Sequence, residues 1–379
     1  MAVQAGSERS HGLVGEGEVV VTSIDRSSRY LRRGLATCAW PARLRPVLTS
    51  HPIMLRYLVP RTVHAVLIVA FAAMASFVLL RAAPGDAMSL SVEGSGRSSD
   101  ARAAMRARLG LDRPLTEQVA SYAMAVLHGD LGRSTTEQRP VRDVIADALP
   151  ATLLLSGAGL CLATLLGVAA GTAQGWRPHD RVASMAGALL TLLYTLPEVV
   201  VGILLLGVFG WRWAILPVGG MTDPMVELTA GRGAQLVDRA LHLALPSLAL
   251  ALVWSASIAR QQRASILEIA SAPFIRTARA AGSRPARLLW QQAMRPTLPG
   301  TVALIGTMLP ALAGGTVVIE SLFSWPGMGL LLVRAVATRD APVVAGAVIV
   351  MAAVIAFGAL LTDVVTGALD PRIRDGAHA

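Results

Sequence analysis

Six long apolar stretches dominate the chain and leave few folds open to it. They run Thr62–Leu80, Ala151–Thr172, Val182–Phe209, Ala240–Ala259, Pro296–Ile319 and Ala341–Thr362. A helix that crosses a bilayer needs about 20 consecutive, mostly apolar residues, and each stretch meets that length. Backbone groups in lipid must be hydrogen-bonded within the segment, so the stretches read as helices rather than open sheet strands. Five carry no charged residue, and the third carries only Glu198. The third is also 28 residues long, so it either tilts or includes an interfacial turn. The expected fold class is an all-α integral membrane protein with six transmembrane helices. Composition agrees: 15% of the 379 residues are charged, against about 25% in soluble domains. A single soluble globule is excluded, and so is a disordered chain.

All 34 basic residues are arginine, and there is no lysine. That excludes a P-loop, whose lysine reaches the nucleotide phosphates, and Schiff-base chemistry, which needs a lysine amine. The net charge is +10, and topology accounts for it. With the N-terminus placed inside, the inner segments hold 20 arginines against 9 acidic residues, and the outer segments hold 14 against 14. The contrast is sharpest in the connections, with seven arginines in 260–295 and three in 210–239. The positive-inside rule then puts both termini in the cytoplasm. Trp176, Trp211, Trp213, Trp290 and Trp325 lie near span ends, as interfacial aromatics do. The arginines follow topology and do not form a patch interleaved with aromatics, so nucleic-acid binding is not expected. Cys38 and Cys161 read as two unpaired thiols, and no secretory signal peptide is expected at the start.

Two connections are too long to be turns. In the outer segment 81–150, Asp100 is placed to cap a helix through Leu109, with Gly110 as its stop. A second helix, Leu115 to Leu127, puts Val119, Tyr122 and Val126 on one face and ends at Gly129. In the inner segment 260–295, Phe274, Ala278 and Ala281 recur at i, i+4 and i+7 and predict a short helix over 272–282. Arg276 and Arg279 share another face, and Gly282 stops the helix. Two readings of this helix stand on periodicity alone: docking in a partner's groove, or arginines resting on lipid phosphates.

Polar groups within the apolar stretches are the candidate site residues. Glu198 follows Leu196–Pro197. A carboxylate near a span centre is costly and faces a cavity or a partner. Either Glu198 lines a pathway, together with Tyr194 and Pro197, and meets a cationic group of a substrate, or it is a carboxyl bonded to a neighbouring helix. Asp363 reads as a packing or rim residue, and His64 and His242 as interfacial residues rather than metal ligands. Gly167 and Gly171 form a small-residue pair for close helix packing, and Pro246 and Pro310 are candidate kinks. Glu320, Trp325, Pro326 and Gly327 follow the fifth stretch and read as a tight outer turn, either an outer gate or a structural turn. No metal, cofactor or catalytic motif is found, and no catalytic residue is expected.

Seven strings, in order, resemble one family. They are Ala83-Pro84-Gly85-Asp86, Leu109-Gly110-Leu111-Asp112-Arg113-Pro114-Leu115, Gly129-Asp130-Leu131-Gly132-Arg133-Ser134, Leu149-Pro150-Ala151-Thr152, Arg276-Thr277-Ala278-Arg279-Ala280-Ala281-Gly282, Phe323-Ser324-Trp325-Pro326-Gly327-Met328-Gly329 and Asp370-Pro371-Arg372-Ile373-Arg374. Together they resemble the dipeptide/oligopeptide/nickel permeases of ABC importers, in the first-permease branch, over residues 54–375. The resemblance implies a type I ABC importer permease fold in a bacterial inner membrane. It implies a second permease subunit, two ABC ATPase subunits and an extracytoplasmic binding protein as partners, with lipid around the spans. ATP would be hydrolysed on another chain, which fits the absent lysine. The 272–282 helix would be the coupling helix, carried by Phe274, Arg276, Thr277, Ala278, Arg279, Ala281 and Gly282. Arg276-Thr277-Ala278 stands where the wider importer motif has Glu-Ala-Ala, and Pro273, Ser283 and Pro285 depart from the branch. The family has a small polar residue in place of Glu198, so nothing is carried over to that position. The outer turn would gate the pore or touch the binding protein. Relatives carry peptides, nickel chelates and other small solutes, and the substrate stays open among them.

An ion-coupled secondary transporter would show inverted repeats with broken helices, and no repeat is evident. A membrane scaffold would not need the glycine-ended inner helix. Residues 1–53 have no counterpart in the family. They are either a disordered arm or the product of an upstream start codon, and the second is the expectation. Residues 376–379 are a short tail.

Overall fold

The computed structural model describes residues 51–82, 114–309 and 316–369. Every regular element among them is helical, and one isolated bridge joins Arg133 to Pro140. In chain order the helices are α1 (His51–Ala82), α2 (Leu115–Leu127), α3 (Val141–Trp176), α4 (Arg181–Thr195) and α5 (Glu198–Leu205), which a wider π segment, Leu206–Arg212, continues. Then come α6 (Pro224–Thr229), α7 (Arg232–Ala270), α8 (Pro273–Ala280) and α9 (Pro285–Arg287), followed by a π segment, Leu288–Ala293. The last four are α10 (Met294–Met308), α11 (Val317–Leu322), α12 (Met328–Ala337) and α13 (Ala341–Leu369).

Among the described residues, four or five of the six expected spans are found. Within α1, α3, α7 and α13, four segments are long and apolar enough to cross a membrane, and α4 with α5 makes a fifth only as a bent pair. The axes of that pair meet at 114°. The cause is local. Leu196 takes extended dihedrals, φ −84° and ψ 142°, because the proline ring after it disfavours the helical region. Pro197 also has no N–H with which to extend α4. The 28-residue stretch is therefore two helices and not one tilted span. In the fifth stretch, α10 and α11 flank residues 310–315, which lie outside the described residues, as does Pro310.

The core is built on a stripe of small residues. Gly159, Ala163, Gly167, Gly171 and Gly175 recur every fourth position on α3, and all are buried against α7. A Cβ on Gly167 would sit 2.7 Å from Ile258 Cβ, and one on Gly171 2.4 Å from the Ala259 carbonyl oxygen. Only glycine lets the two backbones approach this closely. The expected Gly167–Gly171 pair is thus the middle of a longer seam. From Gly159 to Gly175 the contacted residues advance from Leu250 to Ile266, so α3 and α7 run parallel. One return crossing must lie between two parallel spans, and α4 with α5 occupies that place.

The remaining directions follow from contacts. Gln262 meets Thr297 and Thr301, while Ala251 and Ile258 share a cluster with Leu304, Ile305 and Met308, so α10 is antiparallel to α7. Gly306 abuts Thr362 and Gly358 abuts Leu309, so α13 is antiparallel to α10. Gln262 is fully buried, yet its amide is satisfied. It donates to Thr172 and Thr297 at 3.2 Å each and accepts from Thr301 at 2.6 Å. Such bonds join helices where lipid offers no alternative partner.

The outer helix α2 has the predicted bounds, and Gly129 beyond it is left-handed at φ 76°. Tyr122 on its half-buried face stacks 5.3 Å from Phe77 of α1. Asp363 pairs with Arg61, which ties the end of α13 to α1. His242 is buried and bonded to the Asp238 carbonyl one turn before it. Trp211, Trp213 and Trp290 are exposed, and Cys161 is a free, exposed thiol. The Asp100–Leu109 helix and Cys38 lie outside the described residues.

Candidate functional site

The residues singled out in the sequence fall in three places: the break between α4 and α5, the short helix α8, and the turn between α11 and α12.

At the break, Glu198 is the first residue of α5. A carboxylate there is favoured by the unpaired N–H groups and positive end of the helix dipole. The indole of Trp254, on α7, faces it. Glu198 is half-buried, and among the described residues no cation pairs with it. Tyr194, in the last turn of α4, is exposed, and the Arg260 guanidinium lies 4.3 Å above its ring centroid. Its hydroxyl faces Arg260 and Ser257. Pro197 is exposed at the bend. Tyr194 and Glu198 thus meet one ridge of α7, Trp254, Ser257 and Arg260, at i, i+3 and i+6. The sequence reading missed these three. Arg260 follows an apolar run and reads in the sequence as part of the inner loop, but α7 continues to Ala270.

Helix α8 occupies the 272–282 region as Pro273–Ala280. Pro273 is its first residue, where a missing N–H costs nothing. Its end is a Schellman motif: Gly282, at φ 79°, donates to Arg279 O at 3.0 Å, and Ser283 donates to Ala278 O at 3.1 Å. Pro285 then opens α9. The departures at Pro273, Ser283 and Pro285 therefore set the helix ends. Phe274 is 49% exposed, Ala281 is exposed and Ala278 is partly buried, while Arg276 and Thr277 point to the surface. The anchor is Ile275, fully buried and missed because it lies off the i, i+4, i+7 series. Arg279 reaches back over Trp176 at the end of α3, 5.9 Å from the ring centroid.

The outer turn differs from the open turn expected. Glu320 is fully buried. One carboxylate oxygen accepts from Thr152 at 2.8 Å and Thr316 at 2.9 Å. The other accepts from the backbone N–H of Gly329 at 2.7 Å and Leu330 at 3.1 Å, in the first turn of α12. Thr152 in turn accepts from the Met328 N–H at 2.7 Å. Trp325 is not interfacial. It is fully buried, and its indole N–H donates to Ala151 O at 2.8 Å, which removes the polar tip that would seek an interface. A Cβ on Gly327 would lie 2.5 Å from both Glu320 Cδ and Thr152 Oγ1. Pro326 is exposed above this clasp.

Asp340, also missed, joins the same end. It is 2% exposed and accepts from Ser134 Oγ, Thr136 N at 3.0 Å, Thr135 N at 3.2 Å and Val343 N at 3.4 Å. Burial pushes its carboxyl up, but the bonds from Ser134, Thr136, Thr135 and Val343 outweigh that and hold it below the usual carboxylate range. An aspartate just before an apolar run is an N-cap signal that could have found it. Beside the clasp lies a cavity of about 440 Å³, with Glu137, Arg139, Asp147 and Arg334 among its lining residues.

Several long apolar helices, two of them parallel, and a bent helix pair broken at proline mark a multi-pass helical membrane protein. Residues 163–375 match the binding-protein-dependent transport system inner membrane component, and residues 54–156 match the N-terminal part of such membrane components. The chain belongs to this family and is a multi-pass inner-membrane protein. Systems of this kind pair the membrane component with an ATPase and a binding protein.

The dipeptide transport system permease protein DppB of Escherichia coli K12 is 32% identical over 314 residues, 79% of this chain and 93% of that protein. The oligopeptide transport system permease protein AppB of Bacillus subtilis is 30% identical over 322 residues, 85% of this chain and 100% of that protein. A Brucella suis protein with a peptide-permease name is 36% identical over 323 residues, 85% of this chain and 99% of that protein.

Proposed function

We propose that the chain is one permease subunit of an ATP-driven importer of di- or oligopeptides. The observation that carries the reading is the run of relatives named for peptide transport, similar along about four-fifths of the chain. Residues 54–375 form the transmembrane domain, with six spans of the type I importer fold and both termini in the cytoplasm. A second permease completes the pore, and two ATPase subunits sit beneath it. A binding protein delivers substrate at the outer end, beside the Glu320–Trp325 clasp and its cavity. The chain has no catalytic role of its own.

Helix α8 is the transmission element. Its exposed Phe274 and Ala281, with the partly buried Ala278 between them, enter a groove on the ATPase, flanked by Arg276, Thr277 and Arg279. Burial of Ile275 and the Arg279–Trp176 contact make α8 move as one body with the ends of α7 and α3. ATP binding closes the ATPases, carries α8 with them and opens the pore outward, and hydrolysis resets it. This is a two-state element biased by ligand at a distant site. Glu198, Tyr194 and Pro197 line the pathway at the α4–α5 break.

The test is transport by the complete system. Both permeases, the ATPases and the binding protein are reconstituted in proteoliposomes. ATP-dependent uptake of labelled alanyl-alanine is expected. Uptake of a nickel chelate with no uptake of any peptide would move the chain to another branch of the family.

A further inference from the structure

The α4–α5 break sets two unmatched charges against one helix. The Glu198 carboxylate faces one neutral group, the Trp254 indole, and the Arg260 guanidinium is exposed, held by the Tyr194 ring and by Ser257 at 3.4 Å. Among the described residues neither charge meets an opposite one, and they do not pair with each other. Unmatched charges at the edge of an apolar core are costly and are kept where something charged must pass. Their supports on α7, Trp254 and Arg260, are six residues apart, or about 9 Å at the helical rise. An extended chain spans at most about 7 Å over two residues and about 10 Å over three.

From this we propose that the break is a two-ended step in the pathway for short zwitterionic peptides. Glu198 takes the α-ammonium, and Arg260, oriented by Tyr194, takes the α-carboxylate. Arginine suits the second role because its planar fork matches a carboxylate. The bend supplies the geometry. An unbroken helix would carry Tyr194 and Glu198 on adjacent turns of one face, whereas the 114° turn lets them reach α7 from two different helices. The proposal rests on the peptide-importer reading and assigns residues to it.

The test uses the complete reconstituted importer and three labelled probes: alanyl-alanine, its N-acetyl form and its C-terminal amide. Each variant's initial uptake is divided by that of the unsubstituted importer for the same probe, so the binding protein's own preference cancels. Glu198→Gln is expected to lower uptake of the two free-amine probes about tenfold and leave the N-acetyl probe unchanged. Arg260→Gln is expected to lower uptake of the two free-carboxylate probes about tenfold and leave the amide unchanged. Arg260→Lys, which keeps the charge but not the fork, restores part of that loss. Should Arg260→Gln fail to assemble with its partners, Tyr194→Phe tests the same end, with a smaller loss confined to the same two probes. Equal losses on all three probes, or no loss in an assembled variant, would overturn the proposal and leave peptide import standing. An unsubstituted importer that takes up no peptide would instead remove the reading on which the proposal rests.

Discussion

Glu198, inside one apolar stretch, and Glu320, at the end of another, are the same side chain, and the structure treats them in opposite ways. Glu320 is fully buried and accepts four hydrogen bonds from α3, α11 and α12. Glu198 is half-buried and faces only the Trp254 indole. A carboxylate whose acceptor sites are filled by fixed donors has nothing left to offer a ligand, and it ties elements together. A carboxylate with open acceptor sites in the membrane is available. Burial and satisfaction, and not the presence of an acid, separate a structural glutamate from a candidate pathway residue.

The sharpest way to break that contrast is to remove both side chains. Glu320→Ala leaves two hydroxyls and two buried N–H groups without a partner, a loss of about 3–5 kcal/mol for a charged buried network. The variant is expected to accumulate poorly and to melt well below the parent in detergent. Glu198→Ala should change the same melt by less than about 1 kcal/mol. A parent-like melt for Glu320→Ala would show that the clasp does not hold the outer end together.

A second contrast lies within α3. A Cβ on Gly171 meets a backbone oxygen at 2.4 Å, whereas one on Gly157 meets nothing within 4 Å. Gly171→Ala must push α3 off α7 and is expected to cost about 1–3 kcal/mol, as overpacking does. Gly157→Ala should be neutral or gain up to about 1 kcal/mol from helix propensity. Thermal melts of the two variants side by side give the comparison, and equal melts would mean that the seam has room to spare.

These contrasts also show what was legible in the sequence. The apolar runs, the bounds of α2 and the Gly167–Gly171 pair could be read because length, periodicity and small-residue spacing are local signals. The break at Leu196–Pro197 was half-legible: its length and proline marked it, but its angle depends on what α7 offers. The partners of Glu320 were not legible, because Thr152 lies 168 positions away. The same holds for Asp340 and Ser134, 206 positions apart. Trp325 was misjudged because a tryptophan beside a span has two homes, the interface and the core. Only the Ala151 carbonyl, folded against it, decides between them.

Asp340 gives a prediction with a sign. Its folded-state pKa is depressed, so the stability it adds is fully present above the ordinary aspartate value of about 3.9. That stability is lost as pH falls through the lower, folded-state value. Asp340→Asn keeps the shape but removes the charge that draws in Ser134, Thr135 and Thr136. It should lower the melt at neutral pH by about 1–3 kcal/mol and flatten the melt's dependence on acid. An unchanged acid limb in the variant would show that another carboxylate governs it.

The smallest effect on the folded protein is expected at Phe274 of α8, which with its neighbour Ile275 separates function from stability. Ile275 is fully buried and Phe274 is 49% exposed. Ile275→Asp places a charge in the anchor and should unfold the inner end, since an unpaired buried charge costs several kcal/mol. Phe274→Asp changes a surface residue and should move the melt by no more than about 0.5 kcal/mol. If Phe274 is the apolar anchor that enters the ATPase, the same substitution raises the Kd for the ATPase by at least about tenfold, as loss of a buried aromatic at an interface does. Co-purification and titration of the ATPase against the purified permease complex measure it. A Phe274→Asp permease that melts like the parent and still binds the ATPase would detach α8 from the transmission role and leave its arginines to the lipid surface.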